Sequence, residues 1–108
     1  MKHRPQPVPA RDAEADLDAL ACAVAGLASG DEVRAFLEDL CTPAELEAIA
    51  DRWKVVPLLA EGVPYREIHD RTGVSVTTIG RVARTLERGA GGYRLALQRR
   101  DRGDDGTH

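Results

Sequence analysis

The chain has 108 residues, 43% of them apolar and 31% charged, with a formal net charge of −3 at pH 7. That length suits one domain, whose folding buries roughly 60% of the surface exposed by the unfolded chain. No run of about 18 apolar residues occurs, and Asp12, Glu14, Asp16 and Asp18 precede the apolar part of LDALACAVAGLA, so no membrane span or secretory leader is predicted and the expected location is the cytoplasm.

The Pro-rich, basic MKHRPQPVPAR and the polar RRDRGDDGTH predict solvated tails over residues 1–11 and 99–108, leaving one helical domain over 12–98. Charge is divided unevenly within it. Residues 10–63 hold twelve acidic against four basic residues, whereas residues 64–100 hold eight arginines against three acids. A basic half beside an acidic one points to a polyanion-facing surface on the basic half. Cys22 and Cys41 lie nineteen positions apart, with no CxxC and no nearby histidine pair. They predict buried small hydrophobes, with no metal and no cofactor.

The pattern is all-α, with five to six helices and no strand. Leu17, Leu20, Val24 and Leu27 recur at helical spacing and predict a first helix over 12–28. Asp31 is the expected N-cap of a second helix that ends near Leu40, with Val33, Phe36, Leu37 and Leu40 on one face. Thr42, Pro43 and Glu45 form the start signal of a third, with a capping hydroxyl, a proline where no N–H is needed, and a carboxylate three residues on. Leu46, Ile49, Trp53, Val56 and Ala60 line one face of that helix, and Val55, Leu58 and Leu59 add a second, so it is buried on two sides. Pro57 predicts either a kink or an early end. Pro64 opens a fourth helix that reaches about Thr72, Gly73 ends it, and Ser75 caps a fifth running to about Arg88. YRLALQRR is the stretch that could add a sixth, short helix.

The two helices joined by GVS have the spacing of a helix-turn-helix over residues 64–88, with glycine at the corner and Ile68, Val74, Ile79 and Val82 holding the crossing. In such a motif the second helix, here 76–88, enters the DNA major groove with its first turn against the base edges. Val76, Thr77 and Thr78 are short there, so methyls can meet thymine and hydroxyls can meet bases or phosphates. Arg66, Arg71, Arg81, Arg84 and Arg88 supply attraction to the phosphate backbone. His69 is either a phosphate or base contact or an ordinary surface residue. With Tyr65, Ser75 and Gly80 these residues form the expected DNA-binding surface. An incidental helical corner is the bland alternative.

The stretch from FLEDLCTP through TGVSVTTIGRV to GGY resembles the Trp-repressor superfamily, in particular the small Trp-repressor-related proteins of YerC/YecD type. The resemblance covers about residues 33–97. It implies an intertwined homodimer whose N-terminal helices interlock, with 12–62 as dimerisation core and one DNA-reading head per subunit. Two heads imply a pseudo-palindromic operator with half-sites about one helical turn apart. In the Trp repressor the corepressor lies between the third helix and the recognition helix, clasped by two arginines. Arg52 and Arg81 match them, and Thr42 and Thr85 match residues lining that pocket. Val82 stands where tryptophan-binding members have glycine, and its isopropyl group fills the space an indole edge needs. The implied effector is therefore a small molecule other than tryptophan, or none.

The function expected from these features is a dimeric, sequence-specific regulator of transcription that binds double-stranded DNA, most simply a repressor acting by occlusion. The alternative is a protein-interaction module built on the same corner. An enzyme is the poorest fit, since no paired-carboxylate cleft, Ser/His/Asp set, phosphate loop or metal spacing can be placed.

Overall fold

The computed structural model describes residues 10–106, with side chains described over 12–101. Among the described residues there are six helices and no strand: α1 (Ala10–Ala25), α2 (Gly30–Leu40), α3 (Pro43–Ala60), α4 (Tyr65–Thr72), α5 (Val76–Arg88) and α6 (Gly92–Gly106). The chain divides into two compact units, the first ending at Thr42 and the second beginning at Pro43. No helix of the described residues is long and apolar enough to cross a membrane.

In the first unit, α2 is capped by Ser29, two residues before the expected Asp31. The Ser29 hydroxyl accepts from the Glu32 N–H at 3.2 Å, and the Glu32 carboxylate accepts from the Ala28 N–H at 2.7 Å. This reciprocal arrangement satisfies two backbone donors. It leaves Asp31 in the first turn, where its charge suits the positive end of the helix. Neither α1 nor α2 buries a described side chain: Leu17 is 64% exposed and Leu40 52%. Cys22 is accordingly exposed and Cys41 half-buried, which corrects the expectation of two buried thiols.

The second unit holds the core. Val55, Val56, Ile68, Val74, Ile79 and Val82 are all at most 5% exposed, and Trp53, Leu58, Leu59, Leu86, Tyr93 and Leu97 pack against them. Burying each aliphatic side chain stabilises the fold by about 1.5–3 kcal/mol. The buried pair of α3, Val55 and Val56, comes from both of its predicted apolar faces, while Ile49 nearer its start is 39% exposed. Pro57 does not end the helix: α3 continues to Ala60, and the Glu61 N–H bonds the Pro57 carbonyl at 3.1 Å. Trp53 and Tyr93 form a tilted aromatic pair with ring centroids 6.4 Å apart, joining α3 to α6.

The termini differ from the sequence expectation. Helix α1 starts at Ala10 and α6 reaches Gly106, so residues 10–11 and 99–106 are helical where tails were predicted. Leu, Ala, Gln and Arg are good helix formers, and the run LALQRRDR carries the helix past residue 98. The remaining tail residues, 1–9 and 107–108, lie outside the described residues.

Because Ile79 is fully buried where α5 meets the core, Ile79→Ala is expected to lower unfolding stability by about 2–5 kcal/mol. Urea denaturation followed by circular dichroism measures this as a lower midpoint.

Candidate nucleic-acid interface

The α4–α5 corner is built by four backbone-directed contacts. Gly73 takes the left-handed conformation at φ 78°, and its N–H bonds the His69 carbonyl at 2.8 Å, which ends α4. The Thr72 hydroxyl donates to the Ile68 carbonyl at 2.7 Å and accepts from the Val74 N–H at 3.1 Å. Nδ1 of His69 lies 2.8 Å from the Val74 carbonyl oxygen. A carbonyl only accepts, so Nδ1 carries the hydrogen and Nε2 is the ring's second polar atom. Beneath these contacts Ile68, Val74, Ile79 and Val82 are buried, the four residues expected to hold the crossing. Thr72 was not anticipated. Its signal was a hydroxyl immediately before the corner glycine, where a side chain can bridge the last turn to the next strand of chain.

Ser75 caps α5 as expected: its hydroxyl accepts from the Thr78 N–H at 3.1 Å and donates to the Thr78 hydroxyl at 3.0 Å. The hydroxyls of Ser75 and Thr78 are thus engaged in the cap, although Thr78 keeps its own proton to donate. Val76 is 51% exposed, and Thr77 is exposed with no partner for its hydroxyl among the described residues. These two residues form the uncommitted part of the first turn.

Charge sorts the arginines. Arg71 is paired with Glu67, as Arg34 is with Glu38, Lys54 with Asp51 and Arg100 with Asp101. Arg66, Arg81, Arg84 and Arg88 are exposed and make no ion pair among the described residues. Four unneutralised guanidiniums therefore belong to the two helices of the corner.

Tyr65, Gly80 and Arg84 come together in one open groove of about 350 Å³, which Ala83, Glu87 and Arg88 complete. Ala83 and Glu87 were not anticipated as lining residues. They follow Gly80 at i+3 and i+7, a spacing that puts them on one helical face. Gly80 itself sits inside a helix of 13 residues, a position where glycine costs about 1 kcal/mol relative to alanine.

Comparison with known proteins agrees with this geometry. Residues 15–101 match the family model of the Trp repressor protein. The chain belongs to the Trp repressor family. It is 39% identical over 84 residues to YerC of Bacillus subtilis (strain 168), itself described as uncharacterized, covering 78% of this chain and 81% of that protein. It also superposes with a TM-score of 0.75 on the crystal structure of a "putative Trp repressor" from Staphylococcus aureus, at 34% identity over 81% of this chain and 87% of that one. It is a helix-turn-helix protein of the Trp repressor family, and α4 and α5 form its helix-turn-helix arrangement.

The residues matched to the family's corepressor pocket are less united. Val82 is 1% exposed and belongs to the core. Thr85 lines a second open groove, of about 380 Å³, with Leu86, Tyr93 and Arg94, and neither Arg52 nor Arg81 lines it. Arg52 and Arg81 are exposed side chains of the second unit, whereas Thr42 belongs to the first.

The His69 clasp has a specific signature. His69→Ala is expected to lower unfolding stability by about 1 kcal/mol through loss of the bond to Val74. His69→Asn, whose amide nitrogen takes the place of Nδ1, recovers most of that loss, while His69→Gln does not. Chemical denaturation of the three variants measures the ranking.

Proposed function

We propose that this chain is a dimeric, sequence-specific DNA-binding regulator of transcription, acting in the cytoplasm as a repressor by occluding a pseudo-palindromic operator. The observation that carries the reading is the coexistence of four unpaired arginines with an uncommitted first turn on α5. Cations without carboxylate partners supply sequence-independent attraction to phosphates, and Val76 and Thr77 are short enough to let the turn approach base edges. The guanidinium of Arg81 follows Thr77 by one turn and is the strongest candidate on α5 for a bidentate contact to guanine.

The dimer is supported by what the first unit leaves uncovered. Leu17, Leu20 and Leu40 are 64%, 36% and 52% exposed, and α1 and α2 bury none of their described side chains. Apolar faces of that kind are matched by a second copy in families where N-terminal helices interlock. The buried Val82 supports an effector other than tryptophan, or none, because its isopropyl group is locked in the core and cannot clear space for an indole. The role proposed is binding, without catalysis.

Selection of duplexes from a random DNA pool by the purified chain tests this reading. The expected result is a recovered palindrome with half-sites about one helical turn apart, bound by a species of twice the chain's mass in sedimentation. Thr77→Ala or Arg81→Ala is expected to weaken binding to it by about 1–3 kcal/mol. Recovery of background sequences alone contradicts specific regulation. Absence of any DNA affinity at low salt, with a protein partner co-purifying, favours the interaction-module alternative.

A further inference from the structure

The two ends of α5 are held differently. Its start is locked by the Gly73 corner and the Ser75 cap, and its fully buried side chains, Ile79 and Val82, lie in the first half of the helix. Beyond Val82 no residue of α5 is buried: Ala83 and Leu86 are half-buried, and Arg84, Thr85, Glu87 and Arg88 are exposed. A helix anchored only at its start is free to fray at the other end and to tilt about its anchor.

The chain that follows supplies a second anchor. Gly89 leaves the helix with its N–H on the Thr85 carbonyl at 2.7 Å, and a Cβ there would stand 2.6 Å from that same oxygen, so glycine is what permits the turn. Ending the helix at this point leaves the Leu86 carbonyl without an i+4 partner inside it. Arg94, in the first turn of α6, reaches back eight residues and donates its Nε hydrogen to that carbonyl at 3.1 Å. The residue before it, Tyr93, sets its ring against Trp53 of α3 with centroids 6.4 Å apart, and Tyr93 and Leu97 both pack on the core. The first turn of α6 therefore ties the last turn of α5 to α3. Arg94 is exposed and makes no ion pair among the described residues, and its charge stands at the negative end of α5, where a cation is favoured.

We propose that Arg94 is a positioning residue for α5, its Nε–H holding the Leu86 carbonyl so that the helix keeps one tilt and an unfrayed last turn when it meets DNA. The inference rests on the DNA-binding reading above and extends it to a residue outside the helix-turn-helix, one that touches no DNA itself. Base edges are read only at a fixed helix angle, whereas attraction between arginines and phosphates tolerates several. Loss of the clasp therefore lowers the preference for an operator and leaves general affinity for DNA in place.

Two substitutions at Arg94 divide the hydrogen bond from the charge. Glutamine carries Nε2 on Cδ where arginine carries Nε, so Arg94→Gln keeps the donor and removes the cation, while Arg94→Met removes both and keeps an unbranched side chain. The full chain and both variants, each verified as folded by circular dichroism, are compared by amide hydrogen exchange and by titration with two fluorescent duplexes, one recovered by selection and one of random sequence. The expected result for Arg94→Met is faster exchange confined to the last turn of α5, with the ratio of operator to random affinity lowered about tenfold. Its random-duplex affinity and salt slope stay at the parent's values, and Arg94→Gln keeps the parent's exchange pattern and ratio. An unchanged ratio in Arg94→Met overturns the inference, whatever the exchange shows. Equal weakening of both duplexes in both variants, with the salt slope reduced by about one, makes Arg94 a phosphate contact and overturns it as well. If the parent chain binds neither duplex, the DNA-binding reading itself fails, and the exchange measurement still decides whether Arg94 holds the end of α5.

Discussion

The packing of Ile68, Val74, Ile79 and Val82 under the Gly73 corner is the constraint on which the rest of the second unit depends. Three of these four residues are at most 1% exposed and Val74 is 5%, so the crossing of α4 and α5 has little freedom to adjust. The hydrogen bonds above them make the same demand. Thr72 ties the last turn of α4 to Val74, His69 holds the Val74 carbonyl, and Ser75 begins α5 immediately afterwards. Apolar packing fixes the angle between the helices and the polar clasp fixes the path between them. A recognition helix that must enter a groove as a rigid body needs both.

With the angle settled, the distribution of charge becomes meaningful. Where an arginine has a carboxylate one turn away, as Arg34 and Arg71 do, its charge is partly spent within the chain. Surface pairs of this kind add little to stability, so their larger consequence is to remove a cation from the outward field. Within α4 and α5 that neutralisation is confined to Arg71, and the other four arginines make no ion pair among the described residues. Arg66 belongs to α4, and Arg81, Arg84 and Arg88 to α5; Arg52 of α3 and Arg94 and Arg99 of α6 are likewise without an ion pair among the described residues, so α5 carries the densest run of unpaired charge and the proposed DNA contact draws on it. The net charge of −3 hides this, because it sums an acidic N-terminal half with a basic C-terminal one.

Much of this was legible in the residues. The helix-turn-helix rests on glycine at a left-handed corner, a serine cap and four apolar positions, and each is a local or periodic signal that sequence carries directly. The cap of α2 was misplaced because Ser29 and Asp31 are both good capping residues, and only the reciprocal bond from Glu32 decides between them. The end of α6 was misread because charged residues serve equally in a tail and in an exposed helix. Cys22 and Cys41 were expected inside because thiols usually are, but their burial depends on neighbours that composition does not specify. At the site, the sequence marks which residue types are present but not which are already occupied. The hydroxyls of Ser75 and Thr78 look as available as that of Thr77 until the cap geometry is known, and Arg71 looks as free as Arg81 until Glu67 is seen beside it. The Gly80 groove joins Tyr65 of α4 to one face of α5, so the spacing of Gly80, Ala83 and Glu87 marks one wall of it while the meeting with Tyr65 is set by the packing of the two helices.

The most direct measurement of the central claim, that the unpaired arginines of α4 and α5 face DNA, is the salt dependence of duplex binding. Arg66, Arg81, Arg84 and Arg88 are the unpaired cations of the two helices. If two chains bind together and each such arginine neutralises a phosphate, a plot of log K against log salt concentration has a slope of about −7. A steep slope of that order is the expected result. A nearly flat one contradicts the account, because it would mean that these charges do not meet the DNA backbone.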